Sequence, residues 1–232
     1  MRRVVALYRS SVGKKILMAF TGFIWIGFLA GHMLGNLKAF QGAGAFDTYA
    51  HHLRILGEPI LPYEGFLWLF RAVMFLALVI HVLLSWQTSR MSWAARTTKY
   101  KKQESLNFDF ASRWMRWTGV LILVFLVYHI LNMTTGTLHA GFEAETTTQS
   151  FAFHNLVTGL GNPWVAAIYI VAMVAILFHL WHGVWSLFQT LGASHPKYVG
   201  WRRPIAVVVS IVIFFGFVSI PMAILTRIVH LQ

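Results

Sequence analysis

The chain has 232 residues, 57% of them hydrophobic and only 11% charged, where an ordinary soluble domain carries about a quarter charged residues. Its formal net charge of +12 comes from basic clusters at the ends of long uncharged runs, which argues against nucleic acid as a partner, since that would call for a basic soluble face. The absence of cysteine excludes disulfides, thiolate nucleophiles, cysteine-held iron–sulfur clusters and covalently attached c-type haem.

Five apolar runs follow in chain order, at about 16–37, 65–88, 114–136, 163–191 and 204–227. Each exceeds or approaches the ~20 residues that cross a hydrocarbon core. The expectation is all-α: one integral membrane bundle of five transmembrane helices, a single domain over 1–232 with no room for a soluble catalytic unit. The first run lacks a small-residue cleavage site and continues through His32, Gly35 and Asn36, so it reads as a retained helix. Pro163 and Pro204 sit near expected helix starts, where the first amides lack partners anyway. Pro221 lies inside the fifth run and is expected to kink it or end it early. The segments 39–62 and 138–162 are long enough for one short surface helix each, and no internal repeat stands out.

The flanks give direction. Arg2, Arg3, Arg9, Lys14 and Lys15 precede the first run, Arg90, Arg96, Lys99, Lys101, Lys102, Arg113 and Arg116 follow the second, and Lys197, Arg202 and Arg203 follow the fourth. The alternate segments hold Asp47, Glu58, Glu64, Glu143 and Glu145. Lysine and arginine favour the cytoplasmic side. The N-terminus is therefore expected inside and the C-terminus outside, in a cell's inner (cytoplasmic) membrane. Tyr63, Trp68, Trp86, Trp93, Trp114, Trp117, Trp164 and Trp201 fit an interfacial belt.

Five of the 11 histidines, His32, His81, His129, His179 and His182, lie within apolar runs. A titratable group in lipid is a functional candidate, although one alone is as readily a neutral imidazole bonded to a neighbouring helix. Depth sorts them. At ~1.5 Å per residue, His32 lies about 25 Å beyond Lys15 and His129 about 20 Å beyond Arg116, both toward the outer side. His81 lies about 14 Å from Arg90 and His179 about 18 Å before Leu191, both deeper toward the inner side. Two imidazoles from two helices supply the axial positions of a six-coordinate haem. Gly27, Gly31 and Gly35 form a small-residue ridge beside His32, suited to a porphyrin edge or to close helix packing. Gly183 lies one turn after His179. Zinc would want three or four ligands at one depth, and a proton relay would want carboxylates within the runs; neither set is present mid-helix.

These features resemble the di-haem cytochrome b membrane anchor of succinate:quinone oxidoreductases and quinol:fumarate reductases, the single-subunit, five-helix type. The resemblance runs from Arg9 through the fifth run. It is carried by S-S-V-G-K-K at 10–15, G-H-M-L-G-N-L at 31–37, L-G-E-P at 56–59, L-V-I-H at 78–81, Y-H-I-L at 128–131 and F-H-L-W-H-G-V-W-S at 178–186. It implies two b haems, a distal one held by His32 and His129 and a proximal one held by His81 and His179. Counting back four residues from Gly183 favours His179 over His182 as the fourth ligand, leaving His182 beside it, toward a propionate or the quinone, or as the alternative ligand. Some relatives carry a glutamate two residues before that histidine, assigned to transmembrane proton transfer; here the position is Leu177.

The resemblance further implies that dicarboxylate chemistry is done by a flavoprotein and an iron–sulfur subunit on the cytoplasmic face, with this chain as the quinone-reactive subunit of the enzyme. The basic segment from Arg90 to Arg116 would dock them or merely fix topology. Electrons would pass between the iron–sulfur partner, the two haems and menaquinone or ubiquinone. Glu58 and Glu64 are candidates for proton exchange at the quinone. Arg71, a few residues into the second run, either meets a distal haem propionate or snorkels outward. A stand-alone cytochrome of the b561-like kind, and a transporter using the histidines as relay groups, remain the alternatives.

Overall fold

The computed structural model describes residues 10–95, 110–192 and 195–231, and every regular element among them is a helix. Arg2, Arg3, Arg9, Arg96, Lys99, Lys101 and Lys102, and with them most of the basic segment considered for docking, lie outside the described residues.

Helix α1 (Ser11–Asn36) starts earlier than its apolar run because Ser10 caps it, its hydroxyl accepting from the Gly13 amide at 3.0 Å. After a 3₁₀ turn (Leu37–Gln41), Gly42 at φ +90° admits the chain into α2 (Ala43–Ile55), the first surface helix. Helix α3 (Gly65–Ala94) and helix α4 (Phe110–His129) follow. At the end of α4 the helix widens into a π turn (Ile130–Thr134), with Thr135 N–H donating to Ile130 at 2.9 Å. The second surface helix, α5 (Ala152–Leu160), leads into α6 (Pro163–Thr190). Asn162 caps α6 at the Trp164 amide and Pro163 occupies its first turn, as expected. Helix α7 (Pro196–Leu225) completes the chain.

Five of these helices, α1, α3, α4, α6 and α7, contain spans long and apolar enough to cross a membrane. Many of their large side chains, such as Phe20, Phe75, Val124 and Phe215, are exposed, as hydrocarbon-facing residues must be. Pro204 does not start the fifth helix. Pro196 stands at its head, and the helix runs through both Pro204 and Pro221 to end about one turn later.

Helix α1 packs on α3 and α4 packs on α6, while α6 also meets α7 and α1. Helix α6 is thus central, buried along Ala166, Tyr169, Ala172, Met173, Ala175, Ile176, Leu180 and Val184. A mid-bundle core joins Met33, Met173, Ile176, Leu180 and Ile213. A second core joins Phe46, Phe153, Leu156, Leu160, Ile220 and Ile224, sealing α2 and α5 onto the end of the bundle away from the basic flanks. Without a solvent drive between helices in lipid, close packing has to hold them. Gly216 shows this: a Cβ there would stand 2.2 Å from Met33 Sδ, so any larger residue would force the Met33 side chain to move.

Candidate functional site

The four histidines singled out by depth come together in the two pairs that depth gave. The rings of His32 and His129 lie 5.9 Å apart between centroids and nearly perpendicular, at 81°. His81 and His179 lie within electrostatic range of each other. All four are half-buried, keeping some accessible surface.

Each member of the second pair is held by the helix it faces. Thr21 on α1 donates its hydroxyl to the Leu17 and Met18 carbonyls of its own helix, so its oxygen accepts from His81 Nδ1–H at 3.1 Å. The Met18 carbonyl lies 3.2 Å from the same nitrogen. Thr118 on α4 repeats this, donating to Trp114 and Met115 and accepting from His179 Nδ1–H at 3.3 Å. Beside each threonine a glycine makes room for the ring. A Cβ on Gly22 would lie 3.4 Å from His81 Cε1, and one on Gly119 would lie 3.3 Å from His179 Cε1. Met18, Thr21, Gly22 and His32 therefore recur as Met115, Thr118, Gly119 and His129 at one constant offset. An internal repeat does exist, too sparse to stand out before the contacts identify its members.

The first pair has other supports. His129 Nδ1–H donates to the Tyr169 hydroxyl at 3.1 Å, and that hydroxyl donates on to Asn132 Oδ1 at 3.1 Å. Asn132, fully buried by the π turn, donates in turn to the Leu138 carbonyl at 3.2 Å. His32 stacks on Phe28 one turn earlier, 5.2 Å away with 13° between planes, and touches Phe217 of α7.

These directed bonds assign the tautomer. His81, His129 and His179 all carry their proton on Nδ1, which leaves each Nε2 lone pair free to bind a metal. Two imidazoles bound to one iron at the ~2 Å of a metal–nitrogen bond hold their ring centres about 6 Å apart, close to the separation of His32 and His129. The donor set and its spacing therefore fit haem iron. Among the described residues no three or more of His, Cys, Asp and Glu gather as they would around a metal ion held by side chains alone.

The other candidates divide. His182 neighbours His179 and lies edge-on to Trp185, ring centres 5.7 Å apart. Arg71 pairs with Glu64 at 3.8 Å and covers the Trp68 ring at 4.8 Å. Glu64 is also held by Arg54 at 3.1 Å, and Arg54 reaches Glu145 at 3.5 Å. Two arginines and two glutamates thus neutralise one another at the end sealed by α2 and α5. Glu58 stands apart from them, exposed on the turn before α3. The glycine ridge splits too. Gly35 packs under Tyr49, where a Cβ would clash at 2.6 Å, whereas Gly27 and Gly31 face open space.

Thr21, Thr118, Gly22, Gly119, Tyr169 and Asn132 were not singled out by sequence. Only the repeated methionine–threonine–glycine spacing ahead of two membrane histidines could have found the first four.

Comparison with known proteins gives one family. The family described as "Succinate dehydrogenase/Fumarate reductase transmembrane subunit" matches residues 95–218. The chain is 27% identical over 178 residues to the succinate dehydrogenase cytochrome b558 subunit of Bacillus subtilis (strain 168), covering 75% of this chain and 76% of that one. No solved structure matches it.

Proposed function

The chain belongs to the succinate dehydrogenase/fumarate reductase transmembrane-subunit family, and from that premise we propose that it carries two b haems, one between His32 and His129 and one between His81 and His179. In this reading it anchors a flavoprotein and an iron–sulfur subunit to the cytoplasmic face of the inner membrane, at its basic end. It passes electrons between the iron–sulfur partner and menaquinone or ubiquinone, with the His32–His129 pair farther from the partner. Dicarboxylate chemistry belongs to the partners.

The observation that carries the proposal is the pairing itself, four membrane histidines from four helices meeting two by two. Haem, when bound, supplies reversible one-electron storage at iron. The residues of this chain do the rest. The threonines and Tyr169 hold the Nδ1 protons, which points the Nε2 lone pairs inward and raises their basicity. Phe28 and Phe217 exclude water from the His32 ring. At the outer end Glu64 is neutralised by Arg54 and Arg71, so exposed Glu58 is the better placed of the two acids to trade protons with water for a quinone. Arg71 already has protein partners, and a role toward a distal propionate would require it to share them.

A pyridine haemochrome assay on the purified chain tests this reading. Two haems b per chain are expected, and none would end it. Copurification of flavin and iron–sulfur subunits separates the anchor from a stand-alone membrane cytochrome.

A further inference from the structure

Two adjacent arginines at the start of the fifth span have opposite fates. Arg203 turns outward and lies over the Trp185 ring, 5.9 Å from its centre. Arg202 turns inward and is only 8% exposed. Its neighbours along the same face of α7 are Ala206, Ser210 and Ile213, all buried. It therefore continues the stripe by which α7 faces the bundle interior. Among the described residues neither its Nε nor its Nη1 has a hydrogen-bond partner. A guanidinium removed from water without an anion is among the costliest arrangements a protein can hold, and in a membrane it marks a function by default. Five of the seven carboxylate side chains, Asp47, Glu58, Glu64, Glu143 and Glu145, belong to the segments at the opposite end; the other two, Glu104 and Asp109, lie outside the described residues.

The position of Arg202 says which anion it suits. Ile176 and Leu180, which bracket His179, share one core with Ile213, and Val209 packs against that core. Arg202 lies about 10 Å from Val209 and about 16 Å from Ile213 along α7, toward the basic end, at ~1.5 Å per residue. An extended arginine and the propionate arm of a porphyrin held at His179 together span a distance of that order. We propose that Arg202 is the residue that holds a propionate carboxylate of the haem between His81 and His179, through its guanidinium N–H groups. This rests on the di-haem reading. It assigns Arg202 a role that basic flanks do not require, since Arg203 serves topology equally well from outside.

The consequence is electrostatic and confined to one haem. A cation beside the propionate favours the reduced, more negative form of that haem. Arg202→Gln should lower the midpoint of one of two waves in a redox titration by at least a tenfold change in its reduction equilibrium, about 59 mV for one electron. The wave that moves must be the one lost in His179→Ala, and Arg202→Lys should restore most of the shift. Reconstitution supplies a second measurement should Arg202→Gln assemble poorly. Wild-type apoprotein loaded with haem dimethyl ester, whose propionates carry no charge, should show that wave raised and the haem held more weakly, and Arg202→Gln should weaken binding of free haem but not of the ester. Unchanged midpoints, or a shift in the wave that His129→Ala removes, would overturn the assignment while leaving the two haems standing. Equal losses of affinity for free haem and for the ester in Arg202→Gln would overturn it in favour of a protein carboxylate as the partner of Arg202. A wild-type chain without haem would overturn both this assignment and the reading beneath it.

Discussion

His81 and His179 donate their Nδ1 hydrogen bonds to the middles of α1 and α4, to Thr21 and Thr118, with Gly22 and Gly119 opening the space beside each ring. His32 and His129 sit where the helices stop being regular. His129 is the last residue of α4 before the π turn, and its bond to Tyr169 leads through Asn132 to the loop carbonyl of Leu138. One pair is thus fixed by helix-to-helix contact and repeated by internal symmetry. The other depends on a polar chain that ends in the layer formed by α2, α5 and their loops. Regular helix can orient an imidazole with one hydroxyl. At a helix end the same task takes a tyrosine, an asparagine and a change of helical pitch, a device that recurs at functional sites.

The largest effects should come from the histidines themselves. His32→Ala or His129→Ala should remove one haem and leave the other, and His81→Ala or His179→Ala should do the converse, so that pyridine haemochrome stoichiometry falls from two to one in every case. Loss of both haems from any single substitution would mean that the two pairs are not separable units. Next come the glycines. Gly119→Val should cost most of the haem at His179, because a branched side chain enters space the ring already fills at 3.3 Å from the would-be Cβ. Gly22→Val should do the same at His81, slightly less severely at 3.4 Å. Gly27→Val meets nothing within 4 Å of its Cβ and should leave both haems in place. Haem content together with the two redox waves checks all three, and equal losses from Gly27→Val and Gly119→Val would defeat the packing argument.

The five spans, the two surface helices and the pairing of histidines were all legible before the coordinates, because each follows from a one-dimensional quantity: apolar length, loop length, or residues counted from a charged flank. What escaped depended on angle rather than length. Pro196 and Pro204 offer two possible starts for the fifth helix, and only the backbone shows the first in use. Arg202 and Arg203 are indistinguishable as flanking charges, yet α7 rotates one into the bundle and the other onto Trp185. Gly27 and Gly35 share a helix ridge, but only Gly35 has a neighbour, Tyr49, and that neighbour comes from α2. The threonine–glycine repeat was hidden because its partners lie on other helices, at His81 and His179.

The supporting hydroxyls should rank below the glycines. Tyr169→Phe removes the sole acceptor that His129 Nδ1–H has in the polar chain and also strands Asn132 Oδ1, so haem affinity at that pair should fall about 10–100-fold, the usual cost of losing a ligand's hydrogen-bond partner. Thr21→Val should cost less, since the Met18 carbonyl remains 3.2 Å from His81 Nδ1. Competition with a haem acceptor such as apomyoglobin ranks the two. An equal or larger effect from Thr21→Val would mean that the polar chain beyond Tyr169 contributes nothing.

The smallest effect is a pH dependence limited to one end. His139 sits where the loop after the π turn packs on α5; its Nε2–H donates to Thr158 at 3.0 Å, and among the described residues its buried Nδ1 has no hydrogen-bond partner. Burial holds this imidazole below the usual value of 6.5. Folding then favours the neutral ring, so the stability it contributes is full above its unfolded pKa and is lost as pH falls through the lowered folded value. His154 lies near, paired with Glu143 at 3.4 Å, and adds to the penalty for protonating His139. Asp47 opposes the trend. Burial raises its pKa despite its bond from the Phe153 amide, so the cost of keeping it charged is relieved as pH falls, opposite in sign to His139. Acidification from about pH 7.5 to about 5, across the histidine range, should therefore raise amide exchange modestly over 138–160 and leave the amides around Thr21 and Thr118 unchanged. His139→Asn should flatten the response. Equal loosening at Thr21 would show that the helix-held pair is no more insulated than the pair that rests on the loops.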